Sequence, residues 1–185
     1  MKRLLIVIDY QNDFVDGALG FPGAERLEDP IAQKIEVYRN AGDEIAFTYD
    51  KHQKNYLDTL EGKNLPIPHC LEGTLGFDLY GKINGMTGDC DPIFTKGTFG
   101  SIDLAHFLAR RQHAADELNT QPFISIELIG LVSHICVLSN AILAKAACPD
   151  VPIIVDAATT DSFDKELQEK AFDVLEGLHI QVTNR

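Results

Sequence analysis

Apolar residues follow two periods along this chain, and their alternation predicts its architecture. Residues 3–8 (RLLIVI) form an unbroken run of mostly branched side chains, as a strand buried on both faces requires. Residues 44–49 (EIAFTY), 91–95 (DPIFT), 123–130 (FISIELIG), 151–155 and 179–182 read as five more strands. Between them the spacing turns helical. Pro30 suits the first position of a helix that runs to about Asn40 and stops at Gly42. Ser101 caps a predicted helix to about Ala115, with Leu104, Phe107 and Leu108 on its apolar face. After a turn at 131–133, Ile135, Leu138, Ile142, Leu143 and Ala146 mark a helix with Ser133 as its N-cap. Residues 162–175 give a further helix, and a short one is expected over 77–83. Residues 9–29, with several glycines, Pro22 and two phenylalanines, and residues 51–73, broken by Gly62, Pro66 and Pro68, read as long loops. Strands alternating with helices, without repeat or linker, predict one doubly wound α/β domain over 1–185. Its six-stranded, mainly parallel sheet would carry helices on both faces.

Composition narrows the function. The chain has 185 residues, enough for one domain that buries about 70 % of its unfolded surface. Its net charge of -12, from 16 basic and 28 acidic residues, argues against nucleic acid or an anionic membrane as a partner. The apolar run after Met1 is too short for a signal peptide, and no segment approaches the length of a membrane span. Cys70, Cys90, Cys136 and Cys148 have neither disulfide-framework nor zinc-ribbon spacing. Reduced thiols in a cytoplasmic protein are the expectation.

In such a sheet the working groups collect beyond the carboxyl ends of the strands. Asp9, Asp50 and Lys96 end the first three predicted strands, and Cys136 lies one turn beyond the fourth. Free amides and the helix dipole at a helix start lower a thiol's pKa, which makes Cys136 a candidate nucleophile. A small residue buried under the helix would look the same in isolation. Its predicted neighbours favour chemistry: Asp9 as the base, Lys96 as the cation that holds it, and two backbone amides of the 132–136 turn for an oxyanion. Asp50, His52 and His69 could supply three ligands to zinc, iron or manganese with one position open. Spacing alone fits a solvated loop equally well. Cys70 ranks below His69 as a ligand, and His106, His113, His134 and His179 are assigned to element surfaces.

Five segments then carry a family resemblance over nearly the whole chain: IVIDYQNDF (6–14), FTYDKH (47–52), PHCLEGTLG (68–76), FTKGTFG (94–100) and GLVSHICV (130–137). The sequence resembles the isochorismatase-like cysteine hydrolases and, among them, the nicotinamidase branch. The resemblance implies a catalytic triad of Asp9, Lys96 and Cys136, oxyanion-hole amides at Val132 and Cys136, and a cis peptide between Val132 and Ser133. It implies a divalent metal on Asp50, His52 and His69, no organic cofactor, and a ring pocket lined by Phe14, Leu19 and Phe99. It also implies homo-oligomers. Two departures stand out. Pro66 occupies the place of a ring-stacking tryptophan, and the chain has no tryptophan at all. The further histidine that often follows the Asp-x-His pair is missing, with Asp58 the candidate to replace it. The expected activity is hydrolysis of a small nicotinamide-like carboxamide to acid and ammonia through a thioester. A metal-independent hydrolase of N-carbamoyl or ureido compounds is the alternative, and a non-catalytic binding domain on the same fold is the second.

Overall fold

The structure, a computed structural model, describes residues 1–185. Its strands are β1 (Leu4–Ile8), β2 (Glu44–Asp50), β3 (Ile93–Lys96), β4 (Ile126–Leu131), β5 (Ile153–Asp161) and β6 (Gln181–Thr183). They form one sheet in the order β3-β2-β1-β4-β5-β6, and every neighbouring pair is parallel. The sheet is thus parallel throughout rather than mainly so. The helices are α1 (Asn12–Val15), α2 (Glu28–Asn40), α3 (Leu60–Asn64), α4 (Ile102–Glu117), α5 (Leu138–Ala147) and α6 (Lys165–Gly177). None is long and apolar enough to cross a membrane.

The two faces of β1 build two cores, because successive side chains of a strand point to opposite sides. Leu4, Ile6 and Ile8 pack with Leu104, Leu108, Ala141, Ala144, Phe172 and Leu175 of α4, α5 and α6. Leu5 and Val7 pack with Ile31, Ile35 and Tyr38 of α2. All five β1 residues are fully buried, which accounts for the unbroken apolar run. The strand order reverses at β1, between β2 and β4, and opens the crevice where such folds place their sites. Gly130 is required there. Its φ is 107°, and a Cβ would come within 2.1 Å of the Ile8 carbonyl oxygen.

Several boundaries differ from the sequence expectation. Helix α2 starts at Glu28, so Pro30 sits within its first turn, where a missing amide hydrogen costs nothing. The predicted helix over 77–83 is two 3-10 turns, Leu75–Phe77 and Gly81–Gly85. The 51–73 stretch is more ordered than a loop. It holds a 3-10 turn, Tyr56–Asp58, and α3, capped by the Thr59 hydroxyl accepting from Gly62 N at 3.0 Å. Strand β5 runs on to Asp161, and α6 begins later than expected, capped by Asp164 accepting from Leu167 N at 2.9 Å. Before α5, Ser133–Val137 form a π-helical turn. Ser133 does not cap it; its hydroxyl bonds instead to Thr160 Oγ1 at 2.9 Å. The cis peptide joins Leu131 and Val132, not Val132 and Ser133. Strand β4 ends at Leu131, paired with Asp161 and one residue beyond the expected end at Gly130, so the cis bond directly follows the strand.

Candidate active site

Asp9, Lys96 and Cys136 converge at the reversal point. Asp9 follows β1 with a left-handed φ of 43°, which lies outside the strand conformation. Its Oδ2 pairs with Lys96 Nζ at 2.6 Å, and its Oδ1 accepts from Thr48 Oγ1 at 2.6 Å. Lys96 ends β3, two strands away, and its long side chain crosses past Asp50, whose Oδ1 is 3.7 Å from Nζ. The same Nζ stands 3.7 Å from Cys136 Sγ. All three residues are buried.

Burial raises the Asp9 carboxyl above its ordinary value, against the pull of Lys96 and with a further push from Asp50. Burial would neutralise Lys96, but Asp9, Cys136 and Asp50 hold it firmly cationic. The Cys136 thiol is pushed well up by burial, and Lys96 only partly offsets this. That reverses the expectation of a thiol acidified by a helix start. Cys136 lies inside the π turn, 6 % exposed, where desolvation outweighs the dipole.

The turn is built around one carbonyl. Val132 O accepts from Ile135 N at 3.1 Å and from Val137 N at 3.2 Å, on either side of the Cys136 amide. Asn140, fully buried on α5, braces it. Its Nδ2 donates to Cys136 O at 2.8 Å and to Phe99 O at 3.1 Å, while Oδ1 accepts from Ser101 N at 2.9 Å. Sequence reading passed over Asn140, because an asparagine within a helical pattern carries no mark of what it bonds.

Asp50, His52 and His69 do come together, and Glu61 joins them: one donor atom from each lies within 4.8 Å of all the others. Asp50 Oδ2 is 3.1 Å from His52 Nε2 and 3.2 Å from His69 Nε2, and Glu61 Oε1 is 3.6 and 3.7 Å from the same nitrogens. Burial pushes the Asp50 carboxyl up, but hydrogen bonds from the two histidines and the charge of Lys96 hold it below the usual carboxylate range. His69 Nδ1 donates to Ile67 O at 2.8 Å, which fixes Nε2 as the ring nitrogen that faces the cluster. Gln11 holds the Asp50 backbone from both sides, donating to its carbonyl at 2.9 Å and accepting from its amide at 2.7 Å. Two imidazoles and two carboxylates on one buried point suit zinc, iron or manganese. Asp58 is exposed on the preceding 3-10 turn and takes no part. Helix α3 supplies Glu61 in its place, and the Thr59 cap was the sequence signal for it. Cys70 is buried outside the cluster, and burial keeps its thiol protonated.

Cys136 and the carboxylate–imidazole cluster open on one cavity of about 390 Å³. Phe14, Leu19 and Phe99 line it as the resemblance implied, and Phe21, Leu65, Ile135 and Phe163 complete its apolar walls. Pro66, where a stacking tryptophan was expected, is exposed and does not line it, whereas its neighbour Leu65 does. His134, assigned to a surface, lies behind the wall. Its Nδ1 bonds to Ser162 Oγ at 2.8 Å, and its ring packs on Phe163 at 5.2 Å. His106, His113 and His179 are exposed.

The sequence and the fold recur in a known family. The Isochorismatase domain model matches residues 3–185. The isochorismatase family protein PncA of Bacillus subtilis is 30 % identical, covering 90 % of each chain. The pyrazinamidase/nicotinamidase of Streptococcus mutans superimposes with a TM-score of 0.82 at 28 % identity, over 98 % of this chain and 99 % of that one. The pyrazinamidase of Pyrococcus horikoshii in complex with zinc gives a TM-score of 0.80 over 100 % of both chains, and at 20 % identity it speaks for the fold alone. From residue 3 to its C-terminus, this chain belongs to the isochorismatase family of hydrolases, among its nicotinamidase/pyrazinamidase-like amidohydrolases.

Proposed function

We propose that this protein hydrolyses a small, planar carboxamide of the nicotinamide type to its acid and ammonia through a thioester on Cys136. The observation that carries the reading is the buried Asp9–Lys96–Cys136 network, whose Cys136 lines the apolar cavity. Asp9 takes the Cys136 proton. This swaps one anion for another beside the same ammonium, so the buried net charge does not change and desolvation adds little to the barrier. The thiolate attacks the carbonyl carbon, a C–S bond forms, and the carbonyl electron pair moves to oxygen. Amides of Val132 and Cys136 donate to that oxyanion. Its collapse breaks the C–N bond, with Asp9 returning the proton to departing ammonia. Water, deprotonated by Asp9, then attacks the thioester; the C–S bond breaks and the thiolate recovers its proton.

Asp50, His52, Glu61 and His69 would hold the divalent metal, which when bound supplies a Lewis-acid point for a ring nitrogen. This donor cluster on the cavity favours the reading over a metal-independent hydrolysis of ureido compounds. The test is ammonia release from nicotinamide and pyrazinamide by wild type and by Cys136→Ala. Wild type should turn over at least one of them, and the variant should bind it without turnover. Ammonia release that survives the substitution would refute the cysteine mechanism.

A further inference from the structure

Resting on that reading, we propose that the preferred substrate carries an uncharged apolar extension, aryl or alkyl, on its ring, and that Phe163 at the cavity mouth receives it. The cavity of about 390 Å³ lies within the roughly 300–1,000 Å³ range of sites for drug-sized ligands, larger than one heteroaromatic ring and an amide need. Its reactive end is fixed by Cys136 on one side and by Asp50, Glu61 and His69 on the other. The rest of the lining is apolar, with four phenylalanines, Phe14, Phe21, Phe99 and Phe163, among it.

Phe163 is 60 % exposed and Phe99 47 % exposed, although both line the cavity. Water contact over that much aromatic surface is unfavourable, and a ligand reaching the mouth would remove it. Phe163 is also held in place before any ligand arrives. On one side Ser162, 1 % exposed, bonds through its hydroxyl to His134 Nδ1 at 2.8 Å and accepts from Asp164 N at 2.9 Å. On the other, Asp164 is locked as the cap of α6. The ring itself packs edge-on against Phe21 at 6.2 Å and His134 at 5.2 Å. An aromatic already held by two neighbouring rings and a fixed backbone loses little rotamer freedom on binding, which is how a recognition surface gains affinity. The lining contains no lysine or arginine and includes the carboxylates Asp50 and Glu61, so an extension ending in a carboxylate would go unpaired.

The test compares kcat/KM for nicotinamide with that for 5-methyl-, 5-propyl- and 5-phenylnicotinamide in the metal-loaded protein. Wild type should favour the phenyl compound by roughly tenfold or more, mostly through KM. Phe163→Ala should lower kcat/KM for the phenyl compound roughly five- to tenfold more than for nicotinamide, collapsing the ratio, and Phe163→Tyr should restore it. Nicotinamide matching or exceeding the extended amides in wild type would overturn the inference and leave the amidohydrolase reading standing. An equal loss for both substrates in Phe163→Ala would overturn it too. Absence of ammonia from every aromatic carboxamide would instead refute the parent reading.

Discussion

Lys96 Nζ stands 3.7 Å from Cys136 Sγ while paired at 2.6 Å with Asp9 Oδ2, so one buried cation serves two potential anions. In the proposed mechanism that sharing sets the order of events: the cation is in place before the proton moves, and it is never left unpaired. Replacing it with Met should lower kcat by about 10³-fold or more, since both the base and the nucleophile lose their counter-charge. It should also destabilise the fold by about 3–5 kcal/mol, because Asp9 becomes an unpaired buried charge. Adding Asp9→Asn should recover much of the melting temperature and none of the activity. Calorimetry and ammonia assays on the single and double variants decide this.

The pH profile follows from Asp9. Its carboxyl is raised by burial, and the proposed mechanism needs it ionised, so the acid limb of kcat/KM should lie above the usual carboxylate range. The Thr48 hydroxyl favours the ionised form through its 2.6 Å hydrogen bond. Thr48→Val should therefore move the limb further up in pH. Stability responds with the opposite sign to that of an ordinary ion-paired aspartate. Between the unfolded value near 3.8 and the raised folded value, the folded state binds the extra proton, and Asp9's contribution to stability weakens as pH rises. A limb at ordinary carboxylate pH, unmoved by Thr48→Val, would count against Asp9 as the base.

Asn140 is expected to act through position. Substitution by Leu leaves Cys136 O, Phe99 O and Ser101 N without their partner inside the protein. The cost should be about 2–4 kcal/mol of stability, read from thermal or denaturant unfolding. Because Asn140 ties the nucleophile's turn to the Phe99 wall, KM for a ring carboxamide should rise along with the fall in kcat. Asn140→Asp, which keeps the acceptor and loses both donors, should lie between the two. A drop in stability with KM unchanged would confine Asn140 to a purely structural role.

What was legible in the sequence divides along physical lines. Continuous apolar runs mark buried parallel strands, so β1 and β2 were found to within one residue, and β4 to within one residue at its end and three at its start. With the strands came the strand-end positions of Asp9, Asp50 and Lys96. Features decided by tertiary contact were not legible. The direction of the Cys136 shift depends on how deeply the turn is buried, which local pattern does not encode. The cis bond lies one residue before the place the resemblance implied, a backbone detail that the apolar pattern does not encode. Phe163 sits alone between Ser162 and Asp164, and its place at the cavity follows from β5's extension to Asp161.

Glu61 gives the remaining prediction. Its Oε1 is 3.6 Å from His52 Nε2 and 3.7 Å from His69 Nε2, within ligand reach of the point those imidazoles share. Burial and the nearby Asp50 raise its carboxyl, so an uncompensated site resists a second negative charge there. A divalent cation removes that resistance, which ties the ionisation of Glu61 to metal uptake. Glu61→Gln keeps the shape and one carbonyl oxygen but removes the charge, and should weaken metal binding by roughly 10–100-fold. Asp58→Asn, on the exposed turn three residues earlier, should leave metal binding unchanged. Competition titrations with a chromophoric chelator read both affinities directly, without recourse to turnover. Equal metal affinity in wild type and Glu61→Gln would leave the ion to Asp50, His52 and His69 alone.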